Sequence, residues 1–480
     1  MSTQDKNIAR RAFLAKLGKG AAVSVSAAAL PGILTGCGNK GIAHVPGASS
    51  VEAGESGGNM TYRTNPKTGE KVSILGYGCM RWPMMKNPDG DGDIIDQESV
   101  NSLVDYAIAH GVNYFDTAPP YVRGLSERAT GIALSRHPRN SYFLATKMSN
   151  QSFSRGDVTP EEIYRESVKM YRNSQKELQT DYFDYYLCHN VGGGDGIPFV
   201  KKRFFDSKVI DFLLQEREKG NIRNLGFSYH GDIKVFDYML SRHDEIKWDF
   251  VQIQLNYVDY RHASGSNFNA EYLYSELEKR SIPVVIMEPL LGGRLATLTD
   301  YLNNRLKVRK PQDSIASWAF RFAGSFPDVL CVLSGMTYME HLQDNIKTYS
   351  PLEPCSEEEL ELLEDTAKIM IQYPTVPCTT CEYCMPCPYG INIPGIFLHY
   401  NKCINEGNVS SSYNDENYAR ARKAFLVGYD RSIPKLRQAS HCINCGECEP
   451  HCPQRIKIPH ELRKIDRYVE QLKQGTLGEK

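Results

Sequence analysis

The chain has 480 residues, 41% of them hydrophobic, with 56 Lys and Arg against 57 Asp and Glu, a formal net charge of −1. That is enough for one large and one small domain, and the balanced charge argues against nucleic acid as a partner. No apolar run reaches the roughly 18 residues a spanning helix needs. The cysteines stand out: there are 14, and eight fall in two short runs near the C-terminus.

The first segment reads as an address rather than as fold. Arg10 and Arg11 precede Phe13, Leu14 and Lys16, and a weakly apolar stretch runs from Ala21 to Leu34. This resembles a twin-arginine signal, and Leu34-Thr35-Gly36-Cys37 resembles a lipobox. Residues 1–37 are then a signal peptide with Cys37 as the lipid anchor, and 38–60 a Gly-, Ser- and Ala-rich tether. The expected location is periplasmic or cell-surface, held to a bacterial membrane by lipid alone. The alternatives are a chance Arg pair or cleavage by the ordinary signal peptidase. The twin-arginine route carries folded proteins, which suits a chain that loads a metal cluster before export.

From about residue 70, short apolar runs alternate with amphipathic stretches. The runs lie near 73–79, 113–118, 142–147, 183–189, 222–228, 250–256, 283–289 and 329–335. Helices are expected between them, as over 98–110 and 205–219. Gly111 is placed to end the first, and Thr159-Pro160 and Asp206-Ser207 to start others. Eight strand–helix pairs over 61–350 predict an α/β fold, a (β/α)8 TIM barrel. An open doubly wound sheet fits the pattern as well.

Polar groups gather at the ends of consecutive strands. The second run ends in Asp116 with Tyr121 just beyond, the third in Lys147, the fourth in His189. Asp five residues before Tyr, then Lys and His on the next two strands, resembles the aldo-keto reductase family. The resemblance implies a carbonyl–alcohol oxidoreductase acting on a small carbonyl or alcohol. A carbonyl under reduction gathers negative charge on oxygen, so a proton donor must sit there. The resemblance makes Tyr121 that donor. Lys147 is expected to lower its pKa, Asp116 to hold the Lys charged, and His189 to orient the carbonyl.

The family pattern also implies a nicotinamide nucleotide, NAD(P), held as a tightly bound group. Its carboxamide would meet Ser228 and Gln252, its pyrophosphate the loop around Gly292, and its adenine side Ser334, Gly335 and Asn345. Where many members carry an aromatic ring, this chain has Met287. Where many NADP-dependent members carry Lys and Arg, it has Gly335 and His341, so an extra phosphate would be poorly neutralised.

An acidic connecting helix is expected in 351–373. The run Cys378, Cys381, Cys384, Cys387 follows, and then Cys442, Cys445, Cys448, Cys452 before Pro453. The second run has the spacing of the bacterial ferredoxin signature; the first is one residue shorter before its last Cys. The resemblance implies a small ferredoxin-like domain over 374–480 with two [4Fe–4S] clusters. Cys378, Cys381, Cys384 and Cys452 would hold one, and Cys442, Cys445, Cys448 and Cys387 the other. Zinc, or disulfides after export, are the alternative uses of such runs. Ile391-Asn392-Ile393-Pro394 and Ile456-Lys457-Ile458-Pro459 echo one another, as a duplicated half-unit would. Cys79, Cys188, Cys331, Cys355 and Cys403 lack ligand spacing and are expected to be buried. Together these features predict an exported enzyme that passes electrons through two clusters to a redox partner protein. The competing expectation is an electron-transfer protein with a catalytically silent barrel.

Overall fold

The computed structural model describes residues 59–478 apart from Asp91, Asp195 and Ser266. The signal and nearly all of the tether lie outside the described residues.

Eight parallel strands close a barrel in sequence order. They are β1 (Leu75–Gly78), β2 (Tyr114–Asp116), β3 (Phe143–Met148), β4 (Phe183–Val191), β5 (Ile222–Tyr229), β6 (Phe250–Gln254), β7 (Val284–Met287) and β8 (Val329–Ser334). Each falls within or beside one of the eight apolar runs, and the open-sheet alternative is excluded. The interior is a packed core in which Tyr114, Tyr185, Phe250, Val285 and Leu333 join one apolar cluster. A two-stranded hairpin, Tyr62–Thr64 against Lys71–Ser73, precedes the barrel.

Helix boundaries follow local chemistry. Helix Gln97–Ala109 is capped by Asp96, and Gly111 follows its end at φ 88°. Thr159 caps Pro160–Glu177 through a reciprocal box with Glu162. The expected helix over 205–219 instead begins at Val209. Residues Lys201–Asp206 wind as a π-helix, and Lys208, at φ 61°, breaks the path between the two. Asp206-Ser207 is thus not the start.

The connecting helix runs Glu357–Met370, capped by Ser356 and Glu359. Beyond it the described residues hold helices and loops but no regular strand. Helices Ile393–Asn405 and Ile458–Gln474 each begin in one of the two Ile-x-Ile-Pro echoes. With Tyr418–Ser432 they bury a core of their own, including Phe397, Phe425, Ile465 and Leu472, against which several of the clustered cysteines pack. The likeness to ferredoxin therefore lies in cysteine spacing. The described residues 59–478 belong to one compact unit.

The cysteine segment is seated on the barrel end where the strands finish. Arg81, after β1, donates to Thr379 O at 2.7 Å and Thr380 Oγ1 at 3.0 Å. After β7, Arg294 donates to Thr375 Oγ1 at 2.7 Å. Gln454 reaches Gln254 of β6 at 3.3 Å and also pairs with Asn267. Arg455 donates to Gly192 O and Gly194 O, both at 3.2 Å, beyond β4.

Candidate active site

Parallel pairing sets the tetrad. Asp116 on β2 pairs with Ala145 on β3, two residues short of Lys147, so Lys147 extends past the carboxylate toward the strand ends. Its Nζ donates to Asp116 Oδ1 and, at 2.7 Å, to Thr117 O. Both side chains are buried, which raises the Asp116 carboxyl and lowers the Lys147 ammonium; their contact opposes both shifts. Asp116 Oδ2 has no protein partner. The Lys147 ammonium lies 4.8 Å from the Tyr121 ring centroid, within cation–π range.

The expected lowering of Tyr121 is not what the geometry gives. The phenol stands well above its ordinary value because of burial first, then Tyr383 and Asp116. Lys147 faces the ring and is bonded to Asp116 and Thr117.

His189 meets Tyr121 edge-on, ring centroids 6.0 Å apart. Burial, Lys147 and Arg203 hold its pKa well below the ordinary imidazole value, so it is neutral near pH 7. Its Nδ1 pairs with Ser149 Oγ, and its carbonyl accepts from Arg203 at 2.6 Å. Arg203 is fully buried and also bonds Asn150 and Asn190. Neither Ser149 nor Arg203 bears a mark in sequence that separates it from ordinary polar residues.

Tyr383 was also missed. It lies inside the first cysteine run, where an aromatic passes for a spacer. Its phenol lies near Tyr121 and raises the Tyr121 pKa, and its ring stands 6.5 Å from that of His189, edge to face.

The presumed nucleotide residues are dispersed in role. Ser228 Oγ accepts from the Asn190 amide at 2.9 Å. Ser334 Oγ accepts from Asn345 Nδ2 at 2.9 Å. A Cβ on Gly335 would touch Arg81 Cδ at 3.1 Å. A Cβ on Gly292 would meet Thr379 Cα at 2.3 Å, so the cysteine segment lies directly on that loop. Gln252 Oε1 is buried without a partner, the one feature that suits a carboxamide. A cavity of about 540 Å³ opens beside the tetrad, lined by Trp82, Tyr121, Arg123, Tyr383 and Cys452 among others. None of the six presumed nucleotide residues lines it.

No disulfide joins the described cysteines, and the five without ligand spacing are buried. The Cys384 thiol is pushed up to about 12 by burial and by Cys378, Cys452 and Cys448 beside it. Cys378 and Cys381 likewise feel Cys452 from the other run. Cys448 feels Cys442 and Cys445. Amides approach the sulfurs, with Thr380 N 3.4 Å from Cys378 Sγ and those of Gln454, Arg455 and Ile456 at Cys452. Such N–H···S contacts stabilise anionic cluster ligands. Among the described residues no three His, Cys, Asp or Glu side chains are gathered as a single metal ion would need.

The aldo/keto reductase family model matches residues 75–368. This chain belongs to that family. The aldo/keto reductase match ends before the first clustered cysteine. L-galactose dehydrogenase of Arabidopsis thaliana is 25% identical over 301 residues, 60% of this chain and 87% of that protein. The NADH-specific methylglyoxal reductase of Escherichia coli is 24% identical over 311 residues, 57% of this chain and 90% of its own. The aldo-keto reductase from Bacillus halodurans, solved in its holo form, is 22% identical, with a TM-score of 0.48 over 64% of this chain and 96% of that one. This aldo/keto reductase is an oxidoreductase of a family that typically acts on small carbonyls with NAD(P)H.

Proposed function

We propose that this family member is an exported oxidoreductase that interconverts a carbonyl and an alcohol at Tyr121, with electrons passing through two [4Fe–4S] clusters. The observation that carries it is that Tyr383, flanked by Cys381 and Cys384, lines one cavity with Tyr121 and stands ring to ring 6.5 Å from His189. Catalytic barrel and cysteine loop share one site.

Reduction breaks the C–O π bond, forms one C–H and one O–H bond, and takes up two electrons and two protons. Tyr121 delivers the proton to oxygen, and the proton that reaches carbon comes from solvent. Neutral His189, held by Ser149 and Arg203, orients the carbonyl by donating to its oxygen. Lys147, kept charged by Asp116, sits over the Tyr121 ring and stabilises negative charge on the phenol as its proton leaves. When bound, the clusters supply one electron each, drawn from an external one-electron donor protein. Cys378, Cys381, Cys384 and Cys452 would hold the inner one, and Cys442, Cys445, Cys448 and Cys387 the outer, where Cys445 is exposed.

Protein purified anaerobically should carry about eight iron atoms and reduce carbonyls when driven by a one-electron dye. Tyr121→Phe should lose that turnover and keep dye-reducible clusters. Dye-reducible clusters with no carbonyl turnover in the parent protein would favour the silent-scaffold reading, which the covered Gly292 loop supports. Export and anchoring at Cys37 belong to the same proposal. Mass spectrometry of the native N-terminus should find a lipidated Cys37, and an intact Arg10-Arg11 segment on the mature protein would refute it.

A further inference from the structure

A dinucleotide on this fold needs an open path from the tetrad across the strand ends to the loop after β7 and on to β8. In this chain that path meets its own backbone. Thr379 is buried, and its Cα stands where a Cβ of Gly292 would be, at 2.3 Å. That is closer than van der Waals contact, so nothing fits between the Gly292 backbone and Thr379. The position is fastened from both sides of the strand ring, by Arg81 at Thr379 O and Thr380 Oγ1, and by Arg294 at Thr375 Oγ1.

The rest of the path is engaged internally. Ser334 Oγ is taken by Asn345, Ser228 Oγ by the Asn190 amide, and Arg81 lies along Gly335. At the inner end, Tyr383 of the same loop lines the cavity with Tyr121, its ring 6.5 Å from that of His189. The space that stays open lies over Tyr121, between Trp82 and Arg123 and the residues Arg81, Thr337 and Thr380. Gln252 Oε1 keeps an unmet acceptor, but a single atom does not make room for a pyrophosphate.

We propose that the loop carrying Cys378, Cys381 and Cys384 replaces the nicotinamide dinucleotide in this barrel, with Thr379 closing the pyrophosphate arm and Tyr383 set against the general acid. The barrel then serves as a nucleotide-free member of a nucleotide-using family, and the cavity beside Tyr121 is left to the substrate. The inference goes beyond the electron path proposed above and stands without it, because Thr379 closes the arm whatever the cysteines hold.

The test is binding to the anaerobic full-length holoprotein. Acid extraction should release no nicotinamide nucleotide at a stoichiometric level. NADH and NADPH fluorescence titrations should show no saturation up to about 1 mM. Hydrogen exchange of segments 289–295 and 375–383 should be unchanged by either nucleotide. Stoichiometric nucleotide in the extract, saturable binding in the micromolar range, or protection of those two segments would overturn the proposal. Iron and sulfide assays on the same sample report separately on the clusters, so either reading can fail alone.

Discussion

The hydroxyl of Tyr383, between two clustered cysteines, shares a cavity with Tyr121, 262 positions earlier after the second barrel strand, and raises its pKa. A residue from outside the matched barrel thereby lines the cavity of the proposed general acid.

Removing that hydroxyl should be felt in chemistry more than in folding. Tyr383 helps hold Tyr121 in its protonated form. Tyr383→Phe should therefore move the Tyr121-dependent limb of alcohol oxidation to lower pH and lower kcat by about tenfold. A full pH–rate profile of both proteins checks this, and coincident limbs would deny the hydroxyl a role.

The Lys147–Asp116 pair is buried, so losing one partner leaves the other charge uncompensated. Lys147→Met should cost about 3–5 kcal/mol of stability and abolish turnover. Adding Asp116→Asn to Lys147→Met should recover most of the stability and none of the activity. Denaturant unfolding of the single and double variants separates the two effects.

Glu127 lies behind β3, where its carboxyl accepts from Thr146 Oγ1 at 2.6 Å. Burial lifts its pKa from 4.5 to about 7. A carboxyl raised on folding favours the native state while protonated. Its contribution is fully present below pH 4.5 and is lost as pH climbs through about 7. Glu127→Gln should flatten the fall in stability across that window by on the order of 3 kcal/mol. Equal slopes in variant and parent would contradict the assignment.

Cys452 belongs to the second run by sequence and to the first by position, since Cys378, Cys381 and Cys384 all feel its thiol. Cys452→Ala should remove the inner cluster and about half of the iron. Cys445→Ala should remove the outer one instead. Iron analysis with electron paramagnetic resonance of the reduced variants distinguishes them.

The barrel was readable because each strand is a continuous apolar run ended by a polar residue, and Asp116, Lys147 and His189 mark the ends of β2 to β4. The tetrad was readable for the same reason. Tyr383 and Thr379 were not, because they act at a junction between segments far apart in sequence, and a spacer between ligands has no periodicity to betray it. The π-helical turn before Val209 escaped notice because Phe204, Phe205 and Val209 keep an apolar pattern through the break. The direction of the Tyr121 shift was misjudged because burial outweighs a cation that faces the ring.

The central claim is that Tyr121 chemistry is coupled to one-electron carriers held by the same chain. The most direct measurement is a single turnover of fully reduced anaerobic holoprotein mixed with an excess of carbonyl substrate and no nucleotide. The account predicts cluster reoxidation in step with alcohol formation, two electrons per alcohol, and neither event in Tyr121→Phe. Clusters that stay reduced while substrate is present, or that reoxidise at the same rate in Tyr121→Phe, would contradict it.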